Sequence, residues 1–365
     1  MKIWLRRTHL ILTLLSSVLL LSICISGALL SFAKEAEQLF LSERWQVTAK
    51  PASLLKSDGL SELVSRLNQQ LPTDNPAKLI LIESNPNLAW QAILKDGLYT
   101  NFNPYNGEVL FSYRFEDSPY GFLMAWHRWL LYSNKDEKPL RPIISCAALV
   151  LIVQLLLGLW MWLRPKNRLR RLRVNFSLKF HGILYQLHSV LGVLLILPLI
   201  LIAFSGMSFY WENATSNIVE GITQQNREQP IHPRASATGE KEIHSQLNAA
   251  FQSAHKALPQ GELHRIYLPI NSTDPLKLRI KIPGQSHPYS WTWADANNGE
   301  LLGHYNASQA NLATQIWNFR YRFHIGDFYG LPVRLIWIAI ALAPVFFLMG
   351  GLYLFYRRYR RSGQW

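Results

Sequence analysis

Two stretches of this sequence decide the fold: HLILTLLSSVLLLSICISGALLSF at residues 9–32 and HSVLGVLLILPLILIAFSGMSFYW at residues 188–211. Each begins with a histidine, continues as an uncharged apolar run, and reaches a Ser-Gly pair whose glycine lies eighteen residues after the histidine. A helix of about 20 residues spans about 30 Å, the thickness of a bilayer's hydrocarbon core. The pattern therefore predicts two matched transmembrane segments and suggests an internal duplication.

Runs without Asp, Glu, Lys or Arg occur in four places. They lie between Arg7 and Lys34, Arg141 and Arg164, Lys179 and Glu212, and Arg334 and Arg357. Each run is long enough to span, so four transmembrane helices are expected. The first run has an alternative interpretation as a signal peptide, because basic residues precede it and Ser31-Phe32-Ala33 resembles a cleavage site. Its length and its match to residues 188–211 favour an uncleaved anchor.

The basic residues predict an orientation in the membrane. RPKNRLRRLR at residues 164–173, the N-terminal Lys2, Arg6 and Arg7, and RRYRR at residues 357–361 flank the apolar runs. By the positive-inside rule these segments are cytoplasmic, and both termini with them. The net charge of +14 arises largely from these flanks, so the composition does not indicate nucleic-acid binding.

The segments between the spans also repeat. LYTNFNPYNGEVLFSY at residues 98–113 matches YSWTWADANNGELLGHY at residues 289–305, and each is an alternating strand that runs into Asn-Gly-Glu. Asn-Gly supplies the positive φ of a tight turn between strands. Amphipathic helical stretches precede them at residues 58–71 and 240–255. Each segment is therefore predicted to be a helix packed on a small antiparallel sheet.

The predicted fold class is an α-helical membrane protein: four transmembrane helices from a parallel duplication, with two small α+β extracytoplasmic domains. The expected boundaries are 8–33, 142–163, 178–211 and 333–356 for the transmembrane helices, 34–118 and 212–315 for the extracytoplasmic domains, 119–133 and 316–332 for the interfacial segments carrying His127 and His324, 164–175 for the cytoplasmic loop, and 357–365 for the cytoplasmic tail.

Four histidines occupy matched places in this arrangement. The duplication aligns His9 with His188 near the cytoplasmic boundary, and His127 with His324 near the outer boundary. A neutral imidazole beside the bilayer is a good axial ligand for haem iron, and two from different helices can hold one porphyrin. The alternative is that each histidine is an ordinary polar anchor within an aromatic belt.

Other candidates follow from the same hypothesis. Arg128 and Arg322 could contact haem propionates, and His181, two helical turns before His188, is a spare ligand or an interfacial residue. Cys24 and Cys146 lie within spans and form no attachment motif, so any haem is non-covalent. The remaining histidines show no metal-ligand spacing, and solvated surface is expected for His232, His244, His255, His264, His287 and His304.

Together these motifs resemble the PepSY-associated transmembrane proteins. The resemblance rests on LHSVLGVLLILPLILIAFSGMSFYW, NPYNGEVL, ADANNGELLG and FHIGDFYGLPVRLIW, in this order along nearly the whole chain. It implies a bacterial cytoplasmic-membrane protein with two periplasmic PepSY-like domains. Some relatives are dihaem reductases of ferric siderophores, so the resemblance also implies two haem b groups, one between His9 and His188 and one between His127 and His324.

The expected function is transmembrane haem-mediated electron transfer that reduces a ferric siderophore or another ferric chelate, as a b-type dihaem oxidoreductase. No Gly-x-Gly-x-x-Gly follows a strand, so no flavin or NAD site is expected, and the electron donor would be quinol or a cytoplasmic reductase. One alternative is a membrane-anchored PepSY module that binds a peptide or partner protein without redox activity. Another is a subunit of an iron or haem transporter.

Overall fold

A computed structural model describes residues 2–49, 59–134, 137–166, 168–236, 246–285 and 287–362. The chain forms two compact units, each built from discontinuous segments. The helical unit comprises Met1–Phe32, Leu123–Ile218 and Arg320–Trp365. The sheet unit comprises Ala33–Phe122 and Val219–Phe319.

The helices and strands of the described residues run in the following order. The helices are α1 (Lys2–Leu30), α2 (Ala33–Phe40), α3 (Gly59–Asn68), α4 (Pro119–Trp129), α5 (Arg141–Leu163), α6 (Phe180–Leu194), α7 (Ile196–Met207), α8 (Glu212–Thr223), α9 (Leu247–Lys256), α10 (Leu312–Ile325) and α11 (Gly330–Ser362). The strands are β1 (Ala77–Leu81), β2 (Trp90–Leu94), β3 (Tyr99–Phe102), β4 (Val109–Tyr113), β5 (Glu262–Tyr267), β6 (Leu276–Lys281), β7 (Ser290–Ala294) and β8 (Leu301–Tyr305).

Three of the described helices are long and apolar enough to cross a membrane: α1, α5 and α11. Their outward side chains agree with a lipid environment, since Leu15 and Val18 on α1 are each 80% exposed. Large apolar side chains exposed in a row are unfavourable in water and normal in hydrocarbon. The chain is therefore a membrane protein with several spanning helices.

The structure differs from the prediction at the third span, which was expected to be one helix over residues 178–211. The chain bends by 62° between α6 and α7, so this stretch is a broken span or a re-entrant loop rather than one straight helix. Pro198 explains the break, because its nitrogen has no hydrogen to donate to the carbonyl of Leu194. Leu195 leaves the helical region, with φ −93° and ψ 2°, and α7 restarts with Pro198 in its first turn.

A polar contact ties the first two spans together. Gln154 on α5 donates from Nε2 to Ser16 Oγ on α1 at 2.9 Å, and both side chains are buried. Interhelical hydrogen bonds of this kind help helices to associate where lipid removes the hydrophobic driving force. The helical unit is thus held by packing of α1 against α5 and α11, with this hydrogen bond inside it.

The sheet unit is one antiparallel sheet of eight strands in the order β4-β3-β2-β1-β5-β6-β7-β8. This differs from the expectation of two separate small domains. β1 and β5 pair with each other, placing Ile80 opposite Ile266, and both are fully buried. An edge strand offers unpaired backbone groups, and here the two inner edges satisfy one another. α3 and α9 pack on one face over a single apolar core.

The two Asn-Gly-Glu turns have the backbone that the sequence predicts. Gly107 and Gly299 have φ of 79° and 81°. A Cβ at Gly107 would lie 2.9 Å from Arg66 Cβ on α3, and one at Gly299 would lie 2.7 Å from Ala249 Cβ on α9. Each turn therefore packs against a helix of its own half. These helices are shorter than expected, and residues 240–245 of the second predicted helix lie outside the described part of the chain.

Candidate histidine ligand sites

His127 lies near the end of α4, and its ring packs directly against α1. Its Nδ1 lies 3.1 Å from the main-chain oxygen of Ile23 and 3.2 Å from Ser26 Oγ. A Cβ added at Gly27 would lie only 2.9 Å from His127 Cε1. The glycine therefore gives the imidazole room to approach the helix backbone.

His324 has the same surroundings on another pair of helices. From α10 its ring packs against α7, with Nδ1 3.2 Å from Ile202 O and 3.1 Å from Ser205 Oγ. A Cβ at Gly206 would lie 3.1 Å from His324 Cε1. The same sequence offset separates the three contact residues of His127 from those of His324: Ile23 from Ile202, Ser26 from Ser205, and Gly27 from Gly206.

These contacts define the protonation of both rings. A main-chain carbonyl oxygen can only accept a hydrogen bond, so Nδ1 of His127 and of His324 carries the hydrogen. A neutral imidazole then has its lone pair on Nε2. Histidines that bind metals show this pattern, in which the second nitrogen donates to a carbonyl and so fixes the ring orientation. Both rings are thus prepared to act as ligands through Nε2.

The two rings are close to each other. The ring centroids of His127 and His324 are 6.2 Å apart, with the planes inclined by 45°. Two imidazole nitrogens bound to opposite sides of one metal ion place their ring centroids about 6 Å apart, because each metal–nitrogen bond is about 2 Å long. The observed separation therefore fits a shared metal ion.

Aromatic and cationic side chains adjoin this pair. Phe209 packs edge-on to His324 with ring centroids 5.5 Å apart. The guanidinium carbons of Arg128 and Arg320 lie 5.9 Å and 5.7 Å from the Phe209 ring. Arg128 was a sequence candidate and lies beside both histidines. Arg322, which was also expected to contact a haem propionate, forms an ion pair with Asp327 at 2.8 Å. Asp327 would therefore compete with a propionate for this guanidinium group.

His9 and His188 lie farther along the helices. His9 precedes Ile23 and Gly27 by fourteen and eighteen residues, which places it about 21 to 27 Å from the His127 contacts along α1. His188 on α6 interacts electrostatically with His9 and packs on Phe347 of α11, with ring centroids 5.1 Å apart. The two histidines that the sequence aligns therefore lie within electrostatic range of each other in the helical unit.

The Nδ1 atoms of this second pair lack the anchors of the first. Both are buried, and neither has a hydrogen-bond partner among the described residues. The main-chain carbonyls of Gln154 and Phe347 interact with His9 and His188, but without a hydrogen bond to Nδ1. Buried unsatisfied nitrogens are rare in folded proteins, and a site that takes a ligand is one common reason for them.

The remaining histidines lie in different surroundings. His181 also has a buried Nδ1 without a partner in the described residues, and Lys179, Arg357 and Arg361 surround it with positive charge. His264 is not solvated surface as expected: its Nδ1 is buried, and its ring lies 5.8 Å from that of His287. His232 is exposed, as expected, although its ring contacts those of Trp291 and Trp293, while His244 lies outside the described residues.

The sequence predicts the four histidines as candidate ligands but not the residues that orient them. Ser26, Ser205, Gly27 and Gly206 served there only as markers of the repeat. The signal was present, because a Ser-Gly pair at the same distance from a histidine in both stretches provides an acceptor and a close approach on one helix face. What the sequence could not give is the helix that packs there.

A helical membrane unit with paired histidines, joined in sequence to a separate antiparallel sheet, defines the class of this protein. The chain belongs to the PepSY-associated transmembrane family, because the family model described as "PepSY-associated TM region" matches residues 6–358. The family predicted from the motifs is therefore confirmed. No curated protein matches the chain.

Proposed function

We propose that this protein transfers electrons across the bacterial cytoplasmic membrane through two haem b groups and reduces a ferric chelate on the periplasmic side. His127 with His324 would hold one haem, and His9 with His188 the other. The single observation that carries the proposal is the hydrogen bonding of His127 and His324. Both rings have Nδ1–H directed to a carbonyl, and their centroids are 6.2 Å apart.

When bound, haem supplies one-electron redox chemistry that no amino-acid side chain here provides. The protein's own residues do the rest. The main-chain oxygens of Ile23 and Ile202 accept hydrogen bonds from Nδ1–H, so that Nε2 is the nitrogen whose lone pair can bind iron. Gly27 and Gly206 let both rings lie against the helices. The lipid-facing apolar surface excludes water from the sites.

Positive charge is available where haem propionates would need partners. Arg128 and Arg320 flank the Phe209 ring beside His324, and Arg128 interacts with both His127 and His324. Around the second pair, the basic residues near His181 serve the same purpose, with His181 itself as a propionate contact or an alternative ligand. The electron donor is a separate molecule, quinol or a cytoplasmic reductase.

The test is haem content measured on the full chain. The protein is expressed with haem supply, purified in detergent, and assayed by its Soret absorption and by pyridine haemochrome. We expect two bis-histidine haems per chain, and loss of about one haem in each of H188A and H324A. H304A, which removes an exposed histidine of the sheet unit, is the matched control and retains both.

A wild-type protein without Soret absorption after haem supply would refute the proposal. It would favour the alternative, a membrane-anchored module that binds a peptide or protein without redox activity. That alternative also requires that all four membrane histidines can be replaced together without loss of partner binding.

A further inference from the structure

The sheet unit carries a cationic pair on the face that its core helices do not cover. α3 and α9 pack on the face that contains Ile266, Leu278 and Ile280. Side chains alternate along a strand, so Arg265 and Arg279 project from the opposite face. These two arginines are direct cross-strand partners on β5 and β6. Two guanidinium groups are therefore neighbours in the middle of the sheet.

The sheet itself does not require this pair. Like charges directly opposite each other on adjacent strands are destabilising. In the first half of the sheet, β1 and β2 place Leu79 opposite Ile93 on the same face. This apolar pair shows that the fold is compatible with hydrophobic side chains at such a position. The arginines need an explanation other than folding.

Among the residues that the structure describes, no carboxylate forms an ion pair with either arginine. Arg279 donates from Nε to Pro288 O at 2.6 Å and lies 5.0 Å from the centroid of Trp291, and both partners are uncharged. Arg265 has a buried Nε with no hydrogen-bond partner in the described part of the chain. Within those residues neither guanidinium takes part in an ion pair.

The surrounding charges leave this region positive. Burial and then the charge of Arg265 lower the pKa of Arg279 below its ordinary value. Burial, followed by the charges of Arg265, Lys34 and Arg279, lowers the pKa of His264 to about 4. Glu262 acts in the opposite direction at His264, and Glu83 pairs with Lys34, so the excess positive charge is that of Arg265 and Arg279. A half-buried site with excess positive charge attracts anions.

Aromatic rings border the two guanidinium groups. Tyr267 interacts electrostatically with Arg279, and its ring centroid lies 5.5 Å from that of Trp291. Trp291 stacks on Trp293 with centroids 6.2 Å apart. The patch therefore offers flat stacking surfaces beside cations, which suits an anion that itself carries rings.

We propose that this patch, defined by Arg265, Arg279, Tyr267 and Trp291, binds an organic anion with aromatic rings, of the catecholate class of iron chelator. The guanidinium forks match closely spaced oxygen anions, and the rings stack on the ligand's rings. The inference names a substrate class for the proposed function and to that extent rests on it. Binding at the patch, however, needs no electron transfer.

The experiment uses a redox-inert probe on the full chain in detergent. The probe is the gallium(III) complex of a synthetic hexadentate tris-catechol chelator, which is trianionic, and binding is measured by equilibrium dialysis. We expect saturable binding by the wild type and at least about tenfold weaker binding by R265Q, which loses a charge-assisted hydrogen bond. K256Q removes an exposed positive charge from α9, on the helix side of the sheet, and should bind like the wild type.

Comparison of ligands on the wild type keeps the test independent of how the variant folds. The neutral gallium(III) tris-acetohydroxamate complex should bind at least tenfold more weakly, and inorganic phosphate at equal concentration should not displace the catecholate. Equal binding of the neutral complex, full displacement by phosphate, or unchanged binding by folded R265Q would each overturn the proposal. Because gallium(III) is not reduced in this assay, these outcomes are separate from failure of the haem proposal.

Discussion

The two histidine pairs have the same residue type at corresponding places, but the protein supports them differently. His127 and His324 each direct Nδ1 to a carbonyl and a serine hydroxyl. His9 and His188 have buried Nδ1 atoms without hydrogen-bond partners in the described residues. The protein therefore provides an acceptor for Nδ1 at the first pair and none for Nδ1 at the second.

The helices that carry the sites differ as well. α1 runs without a break from His9 to Gly27, whereas the corresponding stretch of the second half bends by 62° at Leu195, between His188 and Gly206. The helical segments that carry the two sites are therefore collinear in the first half and inclined to each other in the second. The contacts at the serine and glycine are thus the same in the two halves, while the connection between the sites differs.

The largest effect should come from removing a ring whose place is already defined. In H324G we expect loss of about one of two haems, with recovery when imidazole is added, because Ile202 O and Ser205 Oγ remain to orient the free ring. H188G should lose one haem and recover less, since no such acceptor faces Nδ1 there. Haem content with and without imidazole measures this. Equal recovery in both variants would remove the distinction between the pairs.

Replacing either contact glycine with alanine should have the next largest effect on haem retention. In G27A the new Cβ lies 2.9 Å from His127 Cε1, compared with 3.1 Å from His324 Cε1 in G206A. Overpacking of this kind destabilises by about 1 to 3 kcal/mol. We expect weaker haem retention in both variants and a larger loss in G27A. G158A is the control, because a Cβ at Gly158 has open space, and a loss there of similar size would contradict this interpretation.

Much of this architecture could be predicted from the sequence, for identifiable reasons. Uncharged apolar runs predict spanning helices, and Asn-Gly predicts the turns at Gly107 and Gly299, because both signals are local in the sequence. The joining of the two halves through Ile80 and Ile266 is not local, since 185 residues lie between them and either edge strand could have remained free. The candidate site follows the same rule. The histidines could be picked out from the sequence, but their serine partners could not, because those contacts depend on how the helices pack.

Removing the serine hydroxyls should have a smaller effect than the glycine substitutions. In S26A and S205A the carbonyls of Ile23 and Ile202 still accept from Nδ1, so the protonation of both rings is kept. Loss of an outer partner of a metal ligand weakens affinity by about tenfold or more, and one retained acceptor favours the low end. Haem dissociation to apomyoglobin measures the change. S17A, an exposed serine on α1, should leave the rate unaltered.

The smallest expected effect concerns the pair without anchors. Q154L removes the hydrogen bond to Ser16 that joins α5 to α1, while the Gln154 main chain that interacts with His9 stays in place. A single interhelical hydrogen bond in a membrane contributes about 0.6 kcal/mol on average. We therefore expect a slightly lower unfolding midpoint, with haem lost first from the His9–His188 pair. Earlier loss from the His127–His324 pair on heating would show that the anchored pair is the weaker one and would reverse the comparison.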